Sequence, residues 1–182
     1  MHRFYHAHMT SRLVRIAAAA VALLALAAGT SACTSGGAPT TSQGPSWPTS
    51  VDALPTLDPN AFHDLIAQQK GHPVLVNIWA SWCDPCVAEA PDLVAAHQKY
   101  GDKVRFIGVD IQDDRSGATD FIAQHQVPYP SVFDPSNQIA VSYGLFSPPD
   151  TLFFDADGNL VKTFPGQISK DQLDANLQAI AG

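Results

Sequence analysis

Positive charge is scarce in this 182-residue chain: ten lysines and arginines stand against seventeen aspartates and glutamates, a formal net charge of −7. A phosphate-binding surface needs a surplus of lysine and arginine, so the balance excludes a nucleic-acid partner. It suits a soluble domain kept dispersed by modest like charge. Membrane-length apolar runs are lacking as well. The run from Ile16 to Ala28 covers thirteen residues, short of the ~20 that a crossing helix needs. Cysteine is limited to three residues, and a single pair, Cys83 and Cys86, lies at C-x-x-C spacing. A structural zinc needs four ligands, from two such pairs or from added histidines. His63, His72, His97 and His125 show no ligand spacing, so no metal is expected, and composition points to no cofactor. The apolar fraction, 46 %, leaves ample material for one core.

Acidic residues are absent before Asp52, while Arg3, Arg12 and Arg15 precede the apolar run. A positive start, a short apolar stretch and then Gly29, Thr30, Ser31 and Ala32 have the layout of an export signal over residues 1–32. Cys33 follows directly. Small residues before a cysteine at this place resemble the bacterial lipobox, which makes Cys33 a candidate lipid-attachment site. Thr30 stands where that motif usually has leucine, and the alternative is a cysteine beside an ordinary signal peptide. Residues 34–50 are rich in Ser, Thr, Gly and Pro and nearly uncharged, a composition that reads as a flexible tether. The tether is assigned to residues 33–56 and the folded domain to 57–182. Composition assigns no role to Trp47.

Within the domain, Asp58 and Pro59 form a helix start, N-cap followed by proline at the first helical position. The segment Pro73–Trp79 is an almost unbroken apolar run and predicts a central strand buried on both faces. The C-x-x-C pair follows, leading into a helix to about Tyr100. A second buried strand is predicted over Val104–Asp110, a helix over Ser116–His125, a short strand around Ser131–Phe133 and a short helix around Ser136–Tyr143. Two further strands flank a turn at Ala156–Asn159, and Ser169 caps a last helix. This order predicts an α/β fold with a mixed sheet.

A C-x-x-C at a strand-to-helix junction has a chemical rationale. The helix N-terminus offers free N–H groups and partial positive charge, which favour thiolate on the first sulfur. Cys83, exposed at the turn, is then the attacking nucleophile, and Cys86, one turn in and more buried, resolves the mixed disulfide. Pro85 stiffens the first turn. The charge of Asp84 opposes thiolate formation and pushes the pair toward reducing potentials. A purely structural disulfide across so short a loop would constrain little.

The stretch Trp79-Ala80-Ser81-Trp82-Cys83-Asp84-Pro85-Cys86 resembles the active-site segment of thioredoxin-fold proteins. Glu89 and Pro91 match the C-x-x-E-x-P of the exported TlpA/ResA/CcmG (DsbE) family. The segment Gly108–Arg115, the helix after it and Val127–Pro130 resemble that family's central β/α insertion. The segment Tyr143–Asp155 resembles its stretch around a cis-proline, here Pro149, with Ser147 and Pro148 departing from the usual glycine and small apolar residue. Asp150 resembles the acidic residue of the CcmG group. The resemblance spans residues 57 to 181 and implies a thioredoxin fold, a central mixed β-sheet flanked by helices, with the TlpA-type insertion. It implies a thiol–disulfide oxidoreductase in which Glu89 exchanges a proton with Cys86 and Trp82, Pro149 and Asp150 meet the substrate. The partners implied are disulfide-containing exported proteins, apocytochrome c among them, and a membrane thiol carrier. An oxidase making disulfides in secreted proteins, or a redox-inactive binding module, are the alternatives.

Overall fold

The computed structural model describes residues 44–182, so the export signal expected over residues 1–32 and the candidate lipid-attachment site Cys33 lie outside the described residues. The elements run α1 (Pro59–Ala67), β1 (Val74–Trp79), α2 (Asp84–Tyr100), β2 (Arg105–Ile111), α3 (Arg115–His125), β3 (Ser131–Asp134), α4 (Gln138–Ser142), β4 (Asp150–Phe154), β5 (Leu160–Pro165) and α5 (Lys170–Ile180). The strands form one sheet in the order β3-β2-β1-β4-β5. β1 and β2, and β2 and β3, are parallel; β4 runs antiparallel to both β1 and β5.

Local chemistry sets the element ends. The Asp58 carboxylate accepts the Ala61 N–H at 2.8 Å and opens α1. Ser169 and Gln172 close a reciprocal capping box at α5. The β4–β5 turn is held by Asp155, which accepts from the N–H groups of Asp157 and Asn159 at 3.0 and 2.8 Å. Gly158 supplies the left-handed residue there, with φ +85°. The helix expected over Ser136–Tyr143 is confined to Gln138–Ser142. Asn137 is left-handed (φ 58°), and the Asp134 carboxylate takes the N–H groups of Gln138 and Ile139.

Alternation along the strands divides the core in two. Val74, Val76, Ile78, Ile107, Val109 and Ile111 pack with Phe62 and Leu65 of α1 and Ile139 of α4. Leu75, Trp79, Phe106 and Phe153 pack with Cys86, Ala90 and Leu93 of α2, Phe121 of α3 and Leu177 of α5. The central strand β1 is buried along its whole length, as its apolar run predicts. This is a thioredoxin-type α/β fold. The unit α3–β3 adds the outer strand beside β2; the segment that resembles the insertion, Gly108–Pro130, takes in the second half of β2, α3 and the loop before β3.

The N-terminal stretch ahead of α1 is packed rather than free over its described part. Leu54 is fully buried in the α2-side cluster, and Thr56 bridges to Phe133 of β3. Arg115 donates to the Leu54 carbonyl and to Thr56 Oγ1, each at 2.7 Å. Trp47 lies against the α1-side cluster, with the Arg105 guanidinium 5.8 Å from its ring centroid. Apolar packing therefore begins ahead of residue 57, inside the stretch whose Ser/Pro-rich composition reads as tether. Among the described residues no helix is long and apolar enough to cross a membrane.

Candidate active site

Cys83 and Cys86 form a disulfide, S–S 2.02 Å, with Cα atoms 5.2 Å apart. Cys83 is the N-cap of α2: its Sγ accepts the Cys86 N–H at 3.2 Å. Its carbonyl takes the N–H groups of Cys86 and Val87 at 3.0 and 3.1 Å. Pro85 falls in the first turn, where its missing N–H costs nothing, and Asp84 is exposed beside it. The first sulfur thus sits at the positive end of a 17-residue helix.

Exposure differs from the sequence expectation. Cys83 is 3 % exposed and Cys86 2 %, so Cys83 is not an exposed residue at the tip of a turn in the oxidised form. Both sulfurs belong to the α2-side core cluster together with Trp79 and Ala80. The turn Ala80–Cys83 is drawn down by the loop after β2. Asp113 accepts from the Ser81 N–H at 2.5 Å and from its Oγ at 3.0 Å. Trp82 donates its indole N–H to the Gln112 carbonyl at 2.9 Å, and Gln112 adopts φ 52° to present it. The Trp82 ring stays largely exposed next to Cys83. Trp79 is core, stacked on Phe121 with centroids 4.4 Å apart.

Glu89, one turn beyond Cys86, is 1 % exposed. Its Oε1 accepts from Asn77 Nδ2 at 3.2 Å and its Oε2 from the Ile168 N–H at 3.1 Å. Asn77 lies on the same face of β1 as Leu75 and Trp79, the face that α2 covers. Burial outweighs both hydrogen bonds, and with the charges of Asp150 and Asp92 it pushes the Glu89 pKa up to about 7. Such a group exchanges a proton readily at neutral pH.

The antiparallel pairing of Ile78 with Asp150 brings the residues before β4 to the sheet end from which the turn Ala80–Cys83 leaves β1. The Pro148–Pro149 peptide bond there is cis, as the resemblance implies. Asp150 is buried, takes the Gly166 N–H at 3.1 Å on Oδ1 and leaves Oδ2 without a partner. Burial pushes its pKa up to about 6. Phe146, four residues earlier, is 71 % exposed.

The fold therefore gathers Trp82, Cys83, Asp84, Pro85, Cys86, Glu89, Pro149 and Asp150 at one end of the sheet. Sequence reasoning missed Asn77, Ser81, Gln112 and Asp113. Asn77 carried a signal: an amide inside a strand buried on both faces must have a partner. Ser81 and Asp113 are polar loop residues thirty-two positions apart, and nothing local pairs them.

The chain is similar to several thiol–disulfide exchange proteins. It is 30 % identical over 112 residues to the thiol-disulfide oxidoreductase ResA of Bacillus thuringiensis subsp. konkukian, covering 61 % of this chain and 65 % of that protein. The match thus spans a little under two thirds of that relative's length. It is 33 % identical over 98 residues to the thiol:disulfide interchange protein DsbE homolog of Paracoccus denitrificans, 53 % of this chain and 52 % of the other. Among solved structures, a secreted disulfide oxidoreductase of Mycobacterium tuberculosis superimposes with a TM-score of 0.57 at 25 % identity, over 62 % of this chain and 85 % of that one. The Redoxin family model matches residues 37–179, which takes in the whole sheet and every residue of the site, and the chain belongs to the Redoxin family.

Proposed function

We propose that this chain is an exported thiol–disulfide oxidoreductase that reduces disulfides in extracytoplasmic proteins, apocytochrome c among them during cytochrome c maturation. The observation that carries the reading is a redox-capable cysteine pair at a helix N-cap with a buried, proton-exchanging carboxylate one turn away. In the reduced enzyme the Cys83 thiolate attacks a substrate disulfide, and one substrate sulfur leaves as thiolate. Glu89 takes the proton of Cys86, whose thiolate then attacks Cys83 Sγ and expels the second substrate sulfur. Two electrons pass to substrate and the Cys83–Cys86 disulfide forms. A membrane thiol carrier returns the pair to the dithiol, and Glu89 gives the proton back.

Burial of both sulfurs in the oxidised form supports a division of labour at the surface. Trp82, beside Cys83, and the cis-Pro149 segment meet the extended substrate chain, the buried Asp150 backs that segment from within, and Asp84 and Pro85 tune the pair. Cys33 carries the lipid that anchors the domain on the outer face of the cell membrane. The deciding measurement is the reduction potential of the Cys83–Cys86 couple. A value near thioredoxin's, about −270 mV, supports the reductase; one near DsbA's, about −120 mV, makes the protein an oxidase of secreted proteins. Failure both to reduce insulin disulfides and to catalyse oxidative refolding would leave a binding module. Mass spectrometry of Cys33 in the full chain reports the anchor separately.

A further inference from the structure

Beneath the contact between Ser81 and Asp113 lies a side chain that the reaction scheme does not use. Asp110 of β2 is 0 % exposed, paired in register with Trp79 of β1 and Phe133 of β3. Neither of its carboxylate oxygens has a hydrogen-bond donor. Its register with Trp79, two residues before Ser81, puts it beside the Ser81–Asp113 contact, and Asp113, Asp114 and Arg115 are the charged groups that act on it. Arg115 is already engaged with Leu54 and Thr56. An ionised Asp110 would be a buried charge set against a like charge. A protonated Asp110 can donate its O–H to Asp113, whose oxygens still have acceptor capacity. Burial and the Asp113 charge accordingly push the Asp110 pKa up to about 9.

We propose that Asp110 is held as a neutral acid donating to Asp113, and that this carboxyl–carboxylate pair positions the Ala80–Cys83 turn. The connection runs from Asp110 through Asp113 to the N–H and Oγ of Ser81, two residues before the first sulfur. Gly117 leaves room for it: a Cβ there would stand 2.6 Å from Ser81 Oγ and 2.9 Å from Asp113 Oδ1. Asp110 is a positioning residue, acting through Asp113 on a turn that keeps Cys83 within reach of Cys86. A fixed turn raises the effective concentration of one thiol at the other and favours the disulfide over the dithiol. The inference rests on the oxidoreductase reading only in taking the pair to cycle between those two states.

Three single variants and one double test it: Asp110→Leu, similar in size without a donor; Asp110→Asn, which keeps one; Asp113→Ala; and Asp110→Leu combined with Asp113→Ala. Each is equilibrated with dithiothreitol buffers, and the indole N–H resonance of Trp82 is followed. Asp110→Leu and Asp113→Ala should each lower the equilibrium constant for disulfide formation by roughly tenfold, about 30 mV, and move the Trp82 resonance. The double variant should go no further than Asp113→Ala alone, and Asp110→Asn should stay within about threefold of wild type. An unchanged Asp110→Leu, an Asp110→Asn shifted as far as Asp110→Leu, or full additivity in the double variant would overturn the proposal. Should Asp110→Leu fail to fold, infrared spectra at pH 8 decide: wild type must show a protonated-carboxyl stretch that Asp110→Asn lacks, and its absence from wild type refutes the neutral acid. None of these readouts needs a protein substrate. A domain whose couple titrates but reduces nothing therefore counts against the oxidoreductase reading alone.

Discussion

Replacing Glu89 by glutamine removes one buried titration and leaves the side chain's shape. In the folded protein burial raises the carboxyl pKa from an ordinary 4.5 to about 7. The unfolded chain gives up this proton near pH 4.5, whereas the folded one keeps it until about 7. Between those values the native state binds more protons, so wild-type stability falls as pH rises. At about 1.4 kcal/mol per pH unit the loss amounts to about 3 kcal/mol, and at 1 % exposure the group is beyond solvent screening. The variant has no such slope. At pH 4 it should be the weaker protein by about 1 kcal/mol, because an amide NH2 meets either the Asn77 NH2 or the Ile168 N–H where a carboxyl oxygen accepted. By pH 8 it should be the more stable by about 2 kcal/mol. Guanidinium unfolding of the oxidised domains at half-unit steps from pH 4 to 8.5 measures the difference, with every other titrating group common to both. Parallel curves, offset by a constant across this range, would falsify the assignment of a neutral-range pKa to Glu89.

Three further outcomes follow from the geometry. Cys86→Ser, reduced at Cys83, should accumulate a mixed disulfide with accessible disulfide substrates such as insulin while Cys83→Ser forms none, seen as adduct mass; adducts on Cys86 in the Cys83→Ser protein would reverse the order of attack. Asp84→Ala should make the potential of the pair less negative by roughly 10–20 mV, since it removes a negative charge from the helix end that supports the thiolate; an unchanged or more negative potential denies Asp84 a tuning role. Gly108→Ala should destabilise the domain by about 1–3 kcal/mol, because its Cβ would lie 2.5 Å from Trp79 Nε1 and against Ser131 Oγ; a melting temperature equal to wild type's would show that Trp79 can yield.

What could be read in the sequence was whatever a short window contains. The apolar run into Trp79, the Asp58–Pro59 start, the Ser169 cap and the turn at Gly158 each state their structure within a few residues, and each stands where expected. The C-x-x-C at a strand-to-helix junction likewise fixed the helix end on which Cys83 sits. The expected exposure of Cys83 rests on the rule that a turn is ordinarily solvated. This one is pinned by a loop that enters from β2, through Ser81 to Asp113 and Trp82 to Gln112. Such a contact leaves no periodicity, and both partners look like ordinary solvated loop residues. Asp110 shows the same limit from the other side. The predicted strand Val104–Asp110 already contains the aspartate, but nothing in the segment says what its carboxylate meets; in the structure β2 runs on to Ile111 and the carboxylate is turned inward. The outer strand β3, paired with β2 at Asp110 and Ile111, covers this end of β2 and leaves the aspartate a buried acid, and no local pattern encodes that pairing.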